Sequence, residues 1–166
     1  MSLPNLISIL RLSASPVLLG LAWRGYSRAA LILLMASFAS DVLDGYLARR
    51  LGQSTPFGAR LDSVGDFTLY VTILLVGWRL WPDIMWREAP YFIAVTASII
   101  LPAAIGYAKF RTATSYHTWA AKLAAFLIGV GVIYLFAGGS PWFFRLATPV
   151  SVYAGLEEIA ITLVLP

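Results

Sequence analysis

The sequence predicts an all-α, polytopic membrane protein: six transmembrane helices preceded by an amphipathic helix lying on the membrane interface. Two observations carry this. First, 60% of the 166 residues are hydrophobic and only 12% are charged, with a mean hydropathy of +0.80. Soluble domains carry roughly 25% charged residues, so this chain has too little polar surface to coat a globule in water. Second, its apolar runs approach the ~20 residues that a bilayer demands and are separated by Gly, Pro and charged breakers. The length suits one domain over 1–166, with no room for a second, soluble one.

Residues 4–12 place Asn5, Ser8 and Arg11 three apart. That spacing makes one polar stripe on a helix otherwise lined by Leu and Ile, which suits the interface. Pro4 fits a first helical turn. A short first span is predicted over 13–23, either separate or continuing from the interfacial helix after Pro16, closed by a loop from Arg24 to Arg28. The opening residues lack a basic leader and a small-residue cleavage site, so no cleavable signal is expected.

The second helix is predicted over 27–51, apolar at first and polar in its last turns. A loop follows at 52–57 with Gly52, Ser54, Thr55 and Pro56. The third helix, over 58–81, reverses that order, polar first and apolar later. Pro82, Asp83, Arg87 and Glu88 predict the next loop. Helices over 90–111 (with Pro102 inside), 117–138 and 143–164 complete the six spans. No internal repeat is visible.

The formal charge is +4, but Lys and Arg are scattered. No nucleic-acid footprint is present, and anionic lipid headgroups or phosphate ligands account better for the basic excess. Cysteine is absent, which excludes disulfides, thiolate metal sites and Cys nucleophiles. Placing the 52–57 loop in the cytoplasm puts Arg11, Arg49, Arg50, Arg60, Lys109, Arg111 and Lys122 on that side. Arg24, Arg28, Arg79, Arg87 and Arg145 fall opposite, a small positive-inside bias. The predicted location is the plasma (inner) membrane.

Half of the eight acidic residues lie within 26 positions: Asp41, Asp44, Asp62 and Asp66. Asp41 and Asp44 are one turn apart on one helix; Asp62 and Asp66 are one turn apart on the next. A short loop makes these helices antiparallel neighbours, so the four carboxylates face each other. Each would cost about 2.5–3.5 kcal/mol at the bilayer centre. Raised pKa values or bound cations relieve this. Oxygen donors without His or Cys favour hard ions such as Mg²⁺, Mn²⁺ or Ca²⁺, and four carboxylates can hold two. Gly45 and Ala48 lie beside the first pair, Gly58 and Gly65 beside the second. Small residues there leave room for a bulky ligand, or else serve close helix packing.

Together these residues spell D-x-x-D-G-x-x-A-R-x8-G-x-x-x-D-x-x-x-D from Asp41 to Asp66. The pattern resembles the signature of the CDP-alcohol phosphatidyltransferases at every fixed position, and the six-span plan is similar to that family's. The resemblance implies that a CDP-linked lipid, usually CDP-diacylglycerol, transfers its phosphatidyl group to an alcohol with release of CMP. It implies Asp41, Asp44 and Asp62 as ligands of two divalent ions, Mg²⁺ or Mn²⁺. Asp66 would share a metal and act as general base. Gly45, Ala48, Arg49 and Gly58 would line the CDP-lipid site, and a homodimer is the implied assembly.

Lys109, Arg111 and Lys122 sit at predicted helix ends on the aspartate side. They suit a phosphorylated acceptor, with glycerol 3-phosphate preferred and inositol phosphate or serine as alternatives; topology alone explains them equally well. His117 reads as an ordinary loop residue. Glu157 and Glu158 read as partners of a neighbouring Lys or Arg or as part of a cavity wall. A prenyltransferase would carry two distant Asp motifs in a longer chain. A cation channel or transporter would not need Arg49 or the glycines.

Overall fold

The computed structural model describes the backbone of residues 3–51, 56–111 and 118–165, and the side chains of 12–40, 64–111 and 118–165. Among the described residues every regular element is helical. They are α1 (Leu3–Trp23), α2 (Ser27–Leu51), α3 (Pro56–Leu80), α4 (Pro82–Arg87), α5 (Ala89–Phe110), α6 (Trp119–Phe136) and α7 (Trp142–Val164).

One open point of the sequence expectation is resolved and one expectation is revised. The predicted interfacial helix and first span form one continuous helix, α1, which passes through Pro16 without a break. The loop predicted around Pro82 to Glu88 instead carries the six-residue α4, which opens on a proline and an acidic first turn, both favourable at a helix start.

The α1–α2 turn follows from one glycine. Gly25 adopts φ +77°. Its N–H donates to Ala22 O at 3.1 Å and that of Tyr26 to Leu21 O at 3.0 Å, the paired bonds of a left-handed helix stop that favours glycine. Gly138 ends α6 likewise at φ +88°, donating to Leu135 O, while Gly139 donates to Tyr134 O.

The chain divides into two compact units, Met1–Pro82 and Asp83–Pro166. In the first, α1 packs against both α2 and α3. Leu18, Ala22, Ala30, Leu34 and Val76 are buried. The hydroxyls of Thr68 and Thr72 donate back to Val64 O and Thr68 O, so polar side chains are satisfied inside an apolar helix by its own carbonyls.

In the second unit α7 packs against both α5 and α6. The pairs Glu88–Arg145, Ser98–Ser151 and Lys109–Thr162 advance together along both helices, so α5 and α7 run parallel. Close approach is made by small residues: a Cβ on Gly155 would lie 2.6 Å from Ser98 O, and one on Gly131 would lie 3.2 Å from Phe144 Cα. Such small-residue contacts are how helices meet where apolar surface alone gives no preference for protein over lipid.

Helices α5, α6 and α7 are each long and apolar enough to cross a membrane; Leu12–Trp23 and Ser27–Ser40 are shorter apolar stretches. Large apolar residues also point outward, among them Ile93, Leu101, Phe126, Leu146 and Leu156. Helices apolar on both faces belong in lipid.

Candidate functional site

The polar turns predicted to carry the chemistry are helical. Asp41 and Asp44 lie in the last turns of α2, which runs unbroken to Leu51; Asp62 and Asp66 lie in the first turns of α3, which opens with Pro56. Four residues, 52–55, separate the two helices. Each aspartate pair is therefore spaced by about one helical turn. Ser40, just before Asp41, donates its hydroxyl to Ser37 O at 2.8 Å.

Asp66 is exposed on α3, one turn beyond Asp62. The side chains of Asp41, Asp44, Gly45, Ala48, Arg49, Gly58 and Asp62 lie outside the described residues, and so does His117. Among the described residues no group of His, Cys, Asp or Glu could hold a metal ion; three of the four expected ligands are not among them. By donor chemistry the set fits a hard divalent ion: oxygen ligands only, paired one turn apart on two helices.

The three basic residues expected to meet an acceptor occupy different environments. Lys109 donates to the carbonyls of Thr162 (3.0 Å), Leu163 (3.2 Å) and Leu165 at the end of α7. An ammonium has three donors, and all three are engaged by orphan carbonyls at a helix C-terminus. Arg111 ends α5 in the left-handed region (φ 58°, ψ 18°), its N–H donating to Tyr107 O. Lys122 is exposed, 5.3 Å from the Trp119 ring, in the first turn of α6, which Thr118 caps by accepting from the Ala121 N–H at 3.1 Å.

Neither Glu157 nor Glu158 forms an ion pair with a described residue, so the expected cationic partner is not found there. Glu157 Oε2 is buried and has no hydrogen bond to a described residue.

A second polar cluster was not foreseen as a unit. Glu88, read from sequence as a loop charge, is wholly buried and gripped by Arg145 through Nε–Oε2 at 2.8 Å and Nη2–Oε1 at 3.0 Å. Arg87 Nε adds a third bond to Oε1 at 3.0 Å. The Arg145 hydrogen bond holds the Glu88 carboxyl below the usual carboxylate range, against the upward push of burial, with Arg87 assisting. The signal available in sequence was Arg145 itself, a cation three residues into an apolar run that calls for a partner.

The chain matches the family model described as CDP-alcohol phosphatidyltransferase over residues 1–164. It is 40% identical over 106 residues to a CDP-diacylglycerol--glycerol-3-phosphate 3-phosphatidyltransferase of Pseudomonas fluorescens, covering 62% of this chain and 54% of that one. It is 32% identical over 142 residues to a probable phosphatidylglycerophosphate synthase of Mycobacterium tuberculosis, covering 79% and 64%. It is 30% identical over 126 residues to a cardiolipin synthase (CMP-forming) of Oryza sativa subsp. japonica, covering 74% and 36%. In each case the match spans less than two thirds of the relative's length. A model match over nearly the whole chain, on top of the intact aspartate signature in α2 and α3, places the protein in the CDP-alcohol phosphatidyltransferase family.

Proposed function

We propose that this protein transfers the phosphatidyl group of CDP-diacylglycerol to glycerol 3-phosphate, releasing CMP, in phospholipid biosynthesis. The observation that carries the reading is the complete D-x-x-D-G-x-x-A-R…G-x-x-x-D-x-x-x-D pattern set on two consecutive helices. The relative in Pseudomonas fluorescens, named for glycerol 3-phosphate, supports the acceptor.

Asp41, Asp44, Asp62 and Asp66 would hold two divalent cations, Mg²⁺ or Mn²⁺, which when bound neutralise the pyrophosphate and polarise the phosphorus under attack. Arg49 adds a fixed positive charge at the phosphates, while Gly45, Ala48 and Gly58 leave room for the nucleotide. The acceptor hydroxyl is a weak nucleophile, so the Asp66 carboxylate takes its proton. The acceptor oxygen then bonds to the phosphatidyl phosphorus as the bridging P–O bond breaks, and CMP leaves with the electron pair. With the Lys109 ammonium engaged by α7 carbonyls, the charge toward a phosphorylated acceptor rests on Arg111 and Lys122.

The wider plan is a single domain of six spans (α1, α2, α3, α5, α6 and α7) in the plasma membrane. The site faces the cytoplasm, where nucleotide-linked lipid and soluble acceptor can both reach it. A homodimer is the proposed assembly.

The test supplies CDP-diacylglycerol, Mg²⁺ or Mn²⁺, and a panel of glycerol 3-phosphate, inositol phosphate, serine and a lipid alcohol, with released CMP as the readout. CMP release with glycerol 3-phosphate alone is expected. CMP release with another acceptor corrects the substrate, and none with any acceptor sinks the transferase.

A further inference from the structure

Where α5 and α7 begin, two guanidiniums converge on one carboxylate oxygen. Arg87 Nε and Arg145 Nη2 each donate to Glu88 Oε1 at 3.0 Å, and Arg145 Nε donates to Oε2 at 2.8 Å. Two cations against one anion leave a surplus of one positive charge. Glu88 has no exposed surface, whereas the Arg87 side chain is 57% exposed and that of Arg145 is 27% exposed. The terminal nitrogens of Arg87 and Nη1 of Arg145 donate to no described residue. The cluster therefore carries guanidinium donors that no described residue engages, on side chains that are partly exposed.

This charged end opens onto an apolar groove. The Arg145 guanidinium lies 5.4 Å from the Tyr91 ring, and Tyr91 forms the first wall of a groove of about 660 Å³ between α5 and α7. Ala94, Pro149, Val152 and Leu156 line it further along. From Thr148 to Leu156 its wall rises about 12 Å. Thr148 offers no spare hydroxyl proton, because it donates to Phe144 O at 3.0 Å. Trp86 and Trp142 stand exposed at the charged end, the position aromatic residues take at a membrane–water boundary.

We propose that this is a binding site for one anionic phospholipid, its phosphate on Arg87 and Arg145 and one acyl chain along the groove. The inference rests on reading α5 and α7 as membrane spans and uses none of the Asp41–Asp66 motif. Charge complementarity selects the occupant. A soluble anion would satisfy the guanidiniums and leave the groove unfilled. An apolar helix from a second copy would fill the groove and leave the cations unmatched. A zwitterionic headgroup would bring its own cation against the surplus positive charge. A lipid with a net negative head and a hydrocarbon tail answers both halves of the site.

The test is native mass spectrometry of the full-length protein in detergent, titrated with phosphatidylglycerol or phosphatidylcholine. Wild type is expected to retain phosphatidylglycerol in preference. Arg87→Gln should cut that retention about fivefold, the factor expected for one basic residue at an anionic headgroup, without changing retention of phosphatidylcholine. Val152→Trp, which fills the groove, should lower retention of both lipids. Arg145 is left intact, since removing it strands the buried Glu88 carboxylate. Unchanged phosphatidylglycerol retention in either variant overturns the proposal, and so does equal retention of the two lipids by the wild type. Carbonate extraction of membranes separates the two levels: release into the soluble fraction defeats the spanning helices themselves, whereas membrane retention with unaltered lipid binding defeats only this site.

Discussion

Arg145 clasps Glu88 through both carboxylate oxygens, at 2.8 and 3.0 Å, across 57 residues of chain. This bond joins the start of α5 to the first turn of α7, and it is completed by Arg87 from the end of α4. A buried pair of this kind is weak grounds for stability when intact, but breaking it is costly because one charge stays behind.

Arg145→Met should therefore lower the thermal midpoint in detergent by several degrees. Its pH dependence should also reverse. In the wild type the Glu88 pKa is held below its unfolded value of about 4.5. The stability this adds is fully present above pH ~4.5 and is lost as pH falls through the folded value. In Arg145→Met, protonating the stranded Glu88 relieves an unpaired charge, so acidification should recover part of the loss. Thermal scans of both proteins from pH 7 downward check this; parallel acid curves would refute it.

Lys109 closes the C-terminal end of α7 by donating to the carbonyls of Thr162, Leu163 and Leu165. Lys109→Met should cost about 1 kcal/mol, the usual range for a cation at a helix C-terminus. Amide exchange should quicken over residues 162–165 first. The KM for glycerol 3-phosphate should stay within about twofold, because removing a group engaged elsewhere removes no substrate binding. A large rise in KM with unchanged exchange would return Lys109 to the acceptor site.

Gly155 lets α5 and α7 meet at backbone distance, since its missing Cβ would sit 2.6 Å from Ser98 O. Gly155→Ala should force the helices apart and stretch the 2.8 Å Ser98–Ser151 hydrogen bond, at a cost of about 1–3 kcal/mol. Gly20→Ala, where a Cβ would meet nothing within 4 Å, serves as the control and should be near neutral. Denaturation in mixed micelles compares the two; equal stabilities would contradict the packing.

Asp66→Asn should reduce CMP release by about 10²–10⁴-fold, the range for losing a general base, while CDP-diacylglycerol binding stays measurable. Removing divalent cations with a chelator should abolish turnover of the wild type, and Mg²⁺ or Mn²⁺ should restore it. Wild-type rates for Asp66→Asn would leave the proton transfer to another group.

The helices and the motif were legible in the chain because both are local. A helix is written in i to i−4 bonds and in the breakers that stop it, so α2, α3, α5, α6 and α7 fall close to their predicted bounds. The aspartate spacing needs only helical register to acquire meaning, and α2 and α3 supply that register. The one revision, the short α4, lies where local signals are weakest, in a polar stretch too short to show a period; Pro16 left open in sequence whether α1 is one helix.

What only the tertiary structure decided are partners far apart in sequence. Nothing near Glu88 announces Arg145, and nothing near Lys109 announces the end of α7 some 53 residues later. From sequence Lys109, Arg111 and Lys122 read equally well as acceptor ligands or as topology; packing engages Lys109 with helix carbonyls and leaves Arg111 and Lys122 exposed. A side chain's type and spacing set what it can do, but its actual partner depends on which helices lie side by side. In this chain that depends on small residues such as Gly131 and Gly155, whose effect appears only when a neighbouring helix arrives.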